Sequence, residues 1–299
     1  MADRRLLVFH TAARTLSFTK AAEVLRMSQP AVTFHVRQLE EHFNTRLVDR
    51  AHQGLRLTEA GKRVFSYADQ IFALHAEMED AVQAVTGVIA GVLLLGASTT
   101  IAEYMLPALL GRFKQAFPAL TLRLRVGNTE RIVALVKADE VDLGIVEGPV
   151  VSDQLAVELC HMDELAVLTP PGHALAQRER IEPAELFNYP FITREAGSGT
   201  REVIANYLEA AGLNPADLDI AMELGGPEAI KRVVGTGLGL SILSRATVAK
   251  ELLLRRLIAV SLDPPLRRPL SFVYRKAKSR MRAVEALMKF APEHCEPAP

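Results

Sequence analysis

Residues Ser28 to Phe43 read SQPAVTFHVRQLEEHF. Ser28 is a natural N-cap, because its hydroxyl can accept a free backbone N–H at a helix start. Pro30 falls in the first turn, where its missing N–H breaks no helical bond. Val32, Val36, Leu39 and Phe43 recur at spacings of 4, 3 and 4, which predicts a helix with one buried face. Gln29, Thr33 and Arg37 run along a different face, with Pro30 and Phe34 beside them. This second stripe suits either an ordinary amphipathic surface helix or a helix that reads DNA. Phe34 argues for the second, since a solvated face has no use for a phenyl ring.

On the N-terminal side, a helix is expected over Arg4 to Ala13 and another in SFTKAAEVLRM, from Ser17 to Met27, with Ser17 or Thr19 as its cap. A helix of small residues before a helix with a polar, Arg-bearing N-terminus is the pattern of a helix-turn-helix, whose second helix enters the major groove. Gln pairs with adenine, Thr and Phe touch a thymine methyl, and Arg reaches guanine or phosphate. On the C-terminal side, RLVDR, HQG and LRL predict a β-hairpin wing carrying Arg46, Arg50, His52 and Arg56 towards phosphate. Thr58 then caps a new helix, with Glu59 at its positive end.

Charge follows this division. Residues 1–63 hold 11 Lys and Arg against 6 Asp and Glu, a net of +5, whereas the rest holds 24 against 29, a net of −5. A basic N-terminal segment on a mildly acidic body suggests two jobs, one of them with nucleic acid. No apolar run approaches the roughly 18 residues of a membrane span. The start of the chain does not read as a signal peptide, so a cytoplasmic location without membrane contact is expected. Cys160 and Cys295 have no CxxC context and read as ordinary thiols. No cofactor or metal is expected.

From Lys62 to Val85, Val64, Ile71, Met78 and Val85 repeat every seven residues, with Tyr67, Leu74 and Ala81 between them. This heptad pattern suits a two-helix seam between copies of the chain, although a helix lying on its own domain would show a similar face. Gly87 and Gly91 then read as a hinge.

The last two hundred residues alternate strands and helices. VLLLGAS, LTLRLRVGN and VDLGIVEG read as strands separated by the helices IAEYMLPALLGRFKQAF and ERIVALVKA, a βαβαβ pattern with a parallel sheet. LAVLTPP, PFITREA, DIAMELG and LGLSIL continue the strands, with helices TREVIANYLEAAG and PEAIKRVVGTG among them. PLSFVYRK is the last strand and SRMRAVEALMKFA the closing helix. Two α/β lobes are expected, with crossings near Asp163 and Leu266. Ser98, Thr99 and Thr100 open a helix after one strand, and Ser198, Gly199 and Thr200 do the same in the second lobe. Facing each other, such starts would hold a small oxyanion; singly, each reads as plain N-capping. Gly96–Thr100 lacks the last glycine of the GxSxG elbow, and Gly235–Gly239 precedes a strand instead of opening a helix, so neither supports an enzyme.

SFTKAAEVLRMSQPAVTFHVRQLEEHFNTRLVDR followed by LRLTEAG resembles the winged helix-turn-helix of LysR-type bacterial transcription regulators, through SFT.AA, SQPA, the LE pair, RL..R and LT.AG. GASTT, VDLGIVEG and GTGLGLSIL extend the resemblance to that family's two-lobed, periplasmic-binding-protein-like effector domain. The resemblance implies an α/β protein with an N-terminal winged helix-turn-helix (1–58), a dimerising linker helix and hinge (59–90) and an effector domain (91–299; lobe I 91–162 and 267–299, lobe II 163–266). It implies a DNA-binding transcription regulator, an activator by preference, that pairs into dimers and tetramers, binds a double-stranded operator and a small anionic effector, and meets RNA polymerase. Its DNA-contacting residues would be Thr19, Ser28, Gln29, Pro30, Thr33, Phe34, Arg37, Arg50, His52 and Arg56. Its seam would hold Val64, Tyr67, Ile71, Leu74 and Met78. Ser98, Thr99, Thr100, Ser198, Gly199 and Thr200 would line the effector cleft, with Glu147 and Gly148 near its mouth. The family usually carries Ser and Arg where this chain has Thr33 and Phe34, which shifts the expected base contact of Phe34 to a thymine methyl.

Overall fold

The computed structural model describes residues 3–51, 54–276 and 281–294. Contacts divide the chain into two units, Met1–Gly87 and Val88–Pro299, each with its own core. The first unit begins with α1 (Arg4–Thr15), α2 (Phe18–Leu25) and α3 (Gln29–His42). Strands β1 (Val48–Ala51) and β2 (Gly54–Leu57) pair as an antiparallel hairpin, and α4 (Glu59–Thr86) follows. Ser17 caps α2 by accepting from Lys20 N–H (3.3 Å), so Thr19 lies inside that helix instead of starting it. Ser28 caps α3 by accepting from Ala31 N–H (3.4 Å).

The apolar periodicity places Val32, Val36 and Leu39 in a core with Val8, Phe9, Ala21, Leu47 and Leu55. Phe43 departs from the expectation: it is 46 % exposed. Phe43 ends α3, and Asn44 beyond it takes a positive φ of 47°, so the chain turns away before a fourth periodic residue can reach the core. Two motif residues gain a physical role here. Glu40 accepts from the N–H groups of Leu47 (2.8 Å) and Val48 (3.1 Å), tying α3 to the wing. A Cβ on Gly61 would lie 2.0 Å from the Leu47 carbonyl oxygen, so only glycine lets α4 start against the wing. Thr58 accepts from Gly61 N–H (2.9 Å) at that start.

The 28-residue α4 is about 42 Å long at 1.5 Å per residue. Tyr67, Ile71, Leu74, Met78 and Val85 are exposed along it, whereas Val64 is half-buried against the N-terminal core. Val64 therefore departs from the seam that the heptad spacing suggests, because its turn of α4 already packs on α1 and the wing. Gly87, with φ +70°, follows the helix end.

The second unit starts with β3 (Gly91–Ser98), α5 (Thr99–Tyr104), α6 (Leu106–Ala116), β4 (Leu120–Gly127), α7 (Thr129–Lys137) and β5 (Leu143–Glu147). The expected single helix over residues 101–117 is two, broken at Met105, because Pro107 has no N–H to continue the ladder. Next come β6 (Leu155–Thr169), β7 (Arg180–Ile181), β8 (Phe191–Arg194), α8 (Gly199–Ala210), β9 (Ile220–Leu224), α9 (Pro227–Gly235) and β10 (Ser241–Ser244). Helix α10 (Ala249–Leu253), β11 (Ile258–Leu262), β12 (Arg267–Arg275) and α11 (Arg282–His294) complete it.

Strand β3 pairs in parallel with β4 and β5, as a βαβαβ unit requires. The sheet is not parallel throughout, however. Strand β12 runs antiparallel to β5 and to β6, and β10 and β11 run antiparallel to β6. The expectation recognises only the second half of β6. Its first half, LAVELCHMDE, mixes charges into a strand whose one face is exposed at Val157 and Leu159. Strand β6 pairs with β12 up to Glu164 and with β10 and β11 from Leu165 on, so it passes from one lobe to the other beside Asp163. Leu93, Leu95, Leu109, Phe113, Phe272 and Leu287 fill the first lobe. Leu165, Val167, Leu186, Phe191, Leu208 and Ile242 fill the second. No described helix is long and apolar enough to cross a membrane.

Candidate functional site

In the first unit the polar stripe lies on the outer face of α3. Gln29 and Arg37 are exposed, Thr33 is half-buried, and Phe34 is 58 % exposed although it is a phenyl ring. Gln29 Nε2 donates to Thr33 Oγ1 (3.3 Å), which holds the two polar ends together on that face. Pro30 and Ser28 are exposed at the helix start, as are Thr19 on α2 and Arg56 on β2. Arg50 belongs to β1, and His52 lies outside the described residues. A phenyl ring held in water loses the stabilisation of burial, about 1.5–3 kcal/mol for a fully buried apolar side chain. Phe34 has a reason to stay exposed only if another surface covers it.

In the second unit, the residues expected around the cleft come together at the crossing between lobes. Ser98, at the end of β3, gives its hydroxyl to Glu147 Oε2 instead of capping α5. Thr200 Oγ1, from the first turn of α8, stands 3.5 Å from Glu147 Oε1. Thr99 Oγ1 donates to the Gly127 carbonyl (3.2 Å). Gly148 takes φ +85° and brings β5 against α8: a Cβ on Gly199 would lie 1.9 Å from the Glu147 carbonyl oxygen. Thr129 Oγ1 donates to that same carbonyl (2.9 Å). Glu147 and Gly148 are thus buried inside the lobe contact, not placed at the cleft mouth, because a carboxylate with a hydroxyl and a guanidinium around it is drawn in among them.

That guanidinium belongs to Arg268, which no sequence pattern singles out. It is 1 % exposed. Its Nε and Nη2 both reach Asp163 Oδ2 at 2.8 Å, and its Nη1 donates to Thr200 Oγ1 at 2.6 Å. Nη1 also stands 3.8 Å from Glu147 Oε1. Ser244 closes the set by donating to Asp163 Oδ1 (2.7 Å). The one signal in the sequence is the basic pair Arg267–Arg268 that opens the last strand, and a basic pair is ordinarily surface. Beside this cluster lies a cavity of about 60 Å³ whose lining includes Thr100, Tyr104, His161, Ser244, Thr247 and Arg268.

Two further buried donors lie on the segment that joins β8 to α8, Arg194 at the end of β8 and Ser198 just before α8. Ser198 Oγ does not cap the helix; it is buried with no partner. Arg194 is equally buried, and while its Nε and Nη2 bind Glu195, its Nη1 has no partner. Burial acts to raise the Glu195 carboxyl, but the Arg194 hydrogen bonds outweigh it and hold the group below the usual carboxylate range. The two lobes also meet where the Tyr104 hydroxyl of α5 donates to Glu228 of α9. Burial, then the neighbouring Glu228 carboxylate, pushes the Tyr104 phenol well above its ordinary range, so it stays a donor. Lys231 braces the same Glu228 (2.7 Å) and lies 5.1 Å from the Tyr104 ring centroid. No group of His, Cys, Asp and Glu among the described residues is arranged to hold a metal.

The chain matches two protein families: bacterial regulatory helix-turn-helix protein, lysR family, over residues 4–62, and LysR substrate binding domain over residues 86–296. It is 36% identical over 298 residues to the RuBisCO operon transcriptional regulator of Allochromatium vinosum, covering 98% of this chain and 97% of that protein. The solved regulatory domain of CcmR from Synechocystis PCC6803, in complex with 2-PG, aligns with a TM-score of 0.63 at 29% identity, covering 69% of this chain and 98% of that one. A full-length OxyR variant from Pseudomonas aeruginosa shares the fold over 99% of this chain and 98% of its own, with a TM-score of 0.75 at 23% identity. Helix-turn-helix, wing, two-lobed sheet and family matches agree: the chain belongs to the LysR family of transcription regulators, not to an enzyme family, and joins a DNA-binding helix-turn-helix to an effector-binding domain.

Proposed function

We propose that this regulator is a cytoplasmic transcription activator, working as a dimer or a pair of dimers, whose cleft takes a small anionic metabolite and needs no cofactor. In this reading residues 1–58 read the operator, 59–90 pair the subunits and 91–299 hold the effector. Gln29, Thr33, Phe34 and Arg37 face the major groove, and Tyr67, Ile71, Leu74 and Met78 form the seam. The exposure of these four seam side chains supports it, since water gives them no partner.

The observation that carries the effector's charge is that two buried donors lack partners, Ser198 Oγ before α8 and Arg194 Nη1 at the end of β8. A buried donor without an acceptor costs about 1–3 kcal/mol. A carboxylate or phosphate oxygen at the start of α8 would satisfy Ser198 and meet the positive end of the helix dipole. The 2-PG complex of the CcmR regulatory domain makes 2-PG the first compound to try.

The test is the melting point of the full-length protein across a panel of small carboxylates and phosphate esters, 2-PG included. One of them should raise it in a concentration-dependent way, as mass action requires. Ser198→Ala should cut that compound's affinity by roughly tenfold, the equivalent of about 1.4 kcal/mol. A panel without any shift, or a shift that Ser198→Ala leaves intact, would overturn the anionic reading.

A further inference from the structure

Glu147 already sits where an anion would be best received. Glu147 is 1 % exposed, and Ser98, Thr200 and Arg268 turn donors towards its carboxylate. Ser98 donates from one lobe, Thr200 approaches at 3.5 Å from the other, and Arg268 stands 3.8 Å away. These hydroxyls and this guanidinium would serve a ligand's carboxylate or phosphate as well as they serve Glu147. The charge count is also unusual. Two carboxylates, the buried Glu147 and the half-buried Asp163, share the one guanidinium of Arg268. A free anion added beside both carboxylates would be repelled. The helix that supplies Thr200 has an unused donor at its own cap, the Ser198 hydroxyl, 3 % exposed and without a partner. The site therefore holds one filled and one unfilled place for an acceptor oxygen.

Building on the reading of this cleft as an anion site, we propose that Glu147 determines its specificity as a built-in stand-in for the effector's acidic group: it occupies Ser98, Thr200 and Arg268 until an incoming oxyanion displaces it. Because the carboxylate is tethered, it competes at an effective concentration of about millimolar or more. At Ser98, Thr200 and Arg268 a simple inorganic oxyanion makes only the contacts that Glu147 already makes, so it loses the competition for those three groups. An organic anion that also fills the neighbouring cavity, lined by Tyr104 and Thr247, wins it. The tether thus filters inorganic phosphate and sulfate out of the response.

Calorimetric titration of the full-length protein with inorganic phosphate, repeated with sulfate at fixed ionic strength, tests this. Glu147→Gln keeps the volume and removes the charge. It should bind phosphate at least roughly tenfold more tightly than the parent chain, the order of advantage that a tethered competitor confers. Adding Ser98→Ala to it should erase the gain. Should Glu147→Gln fail to fold, Glu147→Asp retains the charge while shortening the reach, and a smaller gain of about threefold is expected. Unchanged or weaker phosphate binding in the folded variant overturns the proposal. If the parent chain binds an organic anion while the variant gains no phosphate affinity, only the stand-in role of Glu147 falls. If no anion binds either protein, the anionic cleft falls with it.

Discussion

Ser28 and Ser198 stand at the starts of helices of similar length, α3 with 14 residues and α8 with 12, and use their hydroxyls in opposite ways. Ser28 accepts from Ala31 N–H and gives its oxygen to its own helix. Ser198 makes no cap bond and keeps a buried hydroxyl without a partner. Ser98 is a third case, its hydroxyl drawn across to Glu147. The N-terminal unit caps α2 and α3 with its own serines and leaves Phe34 facing outward. At the lobe crossing Ser98 and Ser198 leave α5 and α8 without a side-chain cap, and the Ser198 hydroxyl is buried without an acceptor.

Five variants probe this contrast. The largest effect belongs to Arg268→Met, which strips the buried Glu147 and the half-buried Asp163 of their shared cation. Breaking a buried pair from one side costs about 3–5 kcal/mol, and urea unfolding of the full chain should show a loss of that size. A loss below about 1 kcal/mol, the range of surface ion pairs, would mean that the triad is hydrated in solution. Next, Ser28→Ala should lower stability by about 1 kcal/mol, the usual worth of a serine cap. Ser198→Ala, by contrast, should leave stability unchanged or raise it, because it deletes an unpaired buried hydroxyl instead of a made bond. Equal losses from the two serine variants, in the same thermal or urea melt, would erase the distinction. The smallest stability effect is that of Phe34→Ala, within about 0.5 kcal/mol as for other surface substitutions. Its consequence lies in DNA selection: Phe34→Arg should change the preferred operator drawn from a random duplex pool, and an unchanged operator would remove the thymine-methyl contact.

Local pattern expresses one side of this contrast far better than the other. In the N-terminal unit nearly every feature follows from short-range rules: a serine cap, a proline in the first turn, an apolar residue every three or four positions. Even there Phe43 escapes, since periodicity alone cannot say where α3 turns off its core. Gly61 and Glu40 are visible in the sequence only as letters of a motif. Their reasons, a carbonyl 2.0 Å from a would-be Cβ and the N–H groups of Leu47 and Val48, come from residues several positions away. In the second unit, the alternation of strands and helices is readable, but not the antiparallel return of β12 along β6.

The helix-turn-helix and wing, the long α4 with its exposed apolar stripe, the two α/β lobes and the serine–threonine helix starts facing a cleft are all written in the sequence. They rest on spacing within a few residues, where backbone geometry ties position to direction. The burial of Glu147 between those helix starts is not written there, nor is the way Arg268 joins it to Asp163, nor are the unpartnered donors of Ser198 and Arg194. These belong to the tertiary structure. Asp163 and Arg268 are brought together by the pairing of β6 with β12. Charges so far apart in the chain meet only when a sheet closes over them and removes the water that would otherwise have kept each of them satisfied alone.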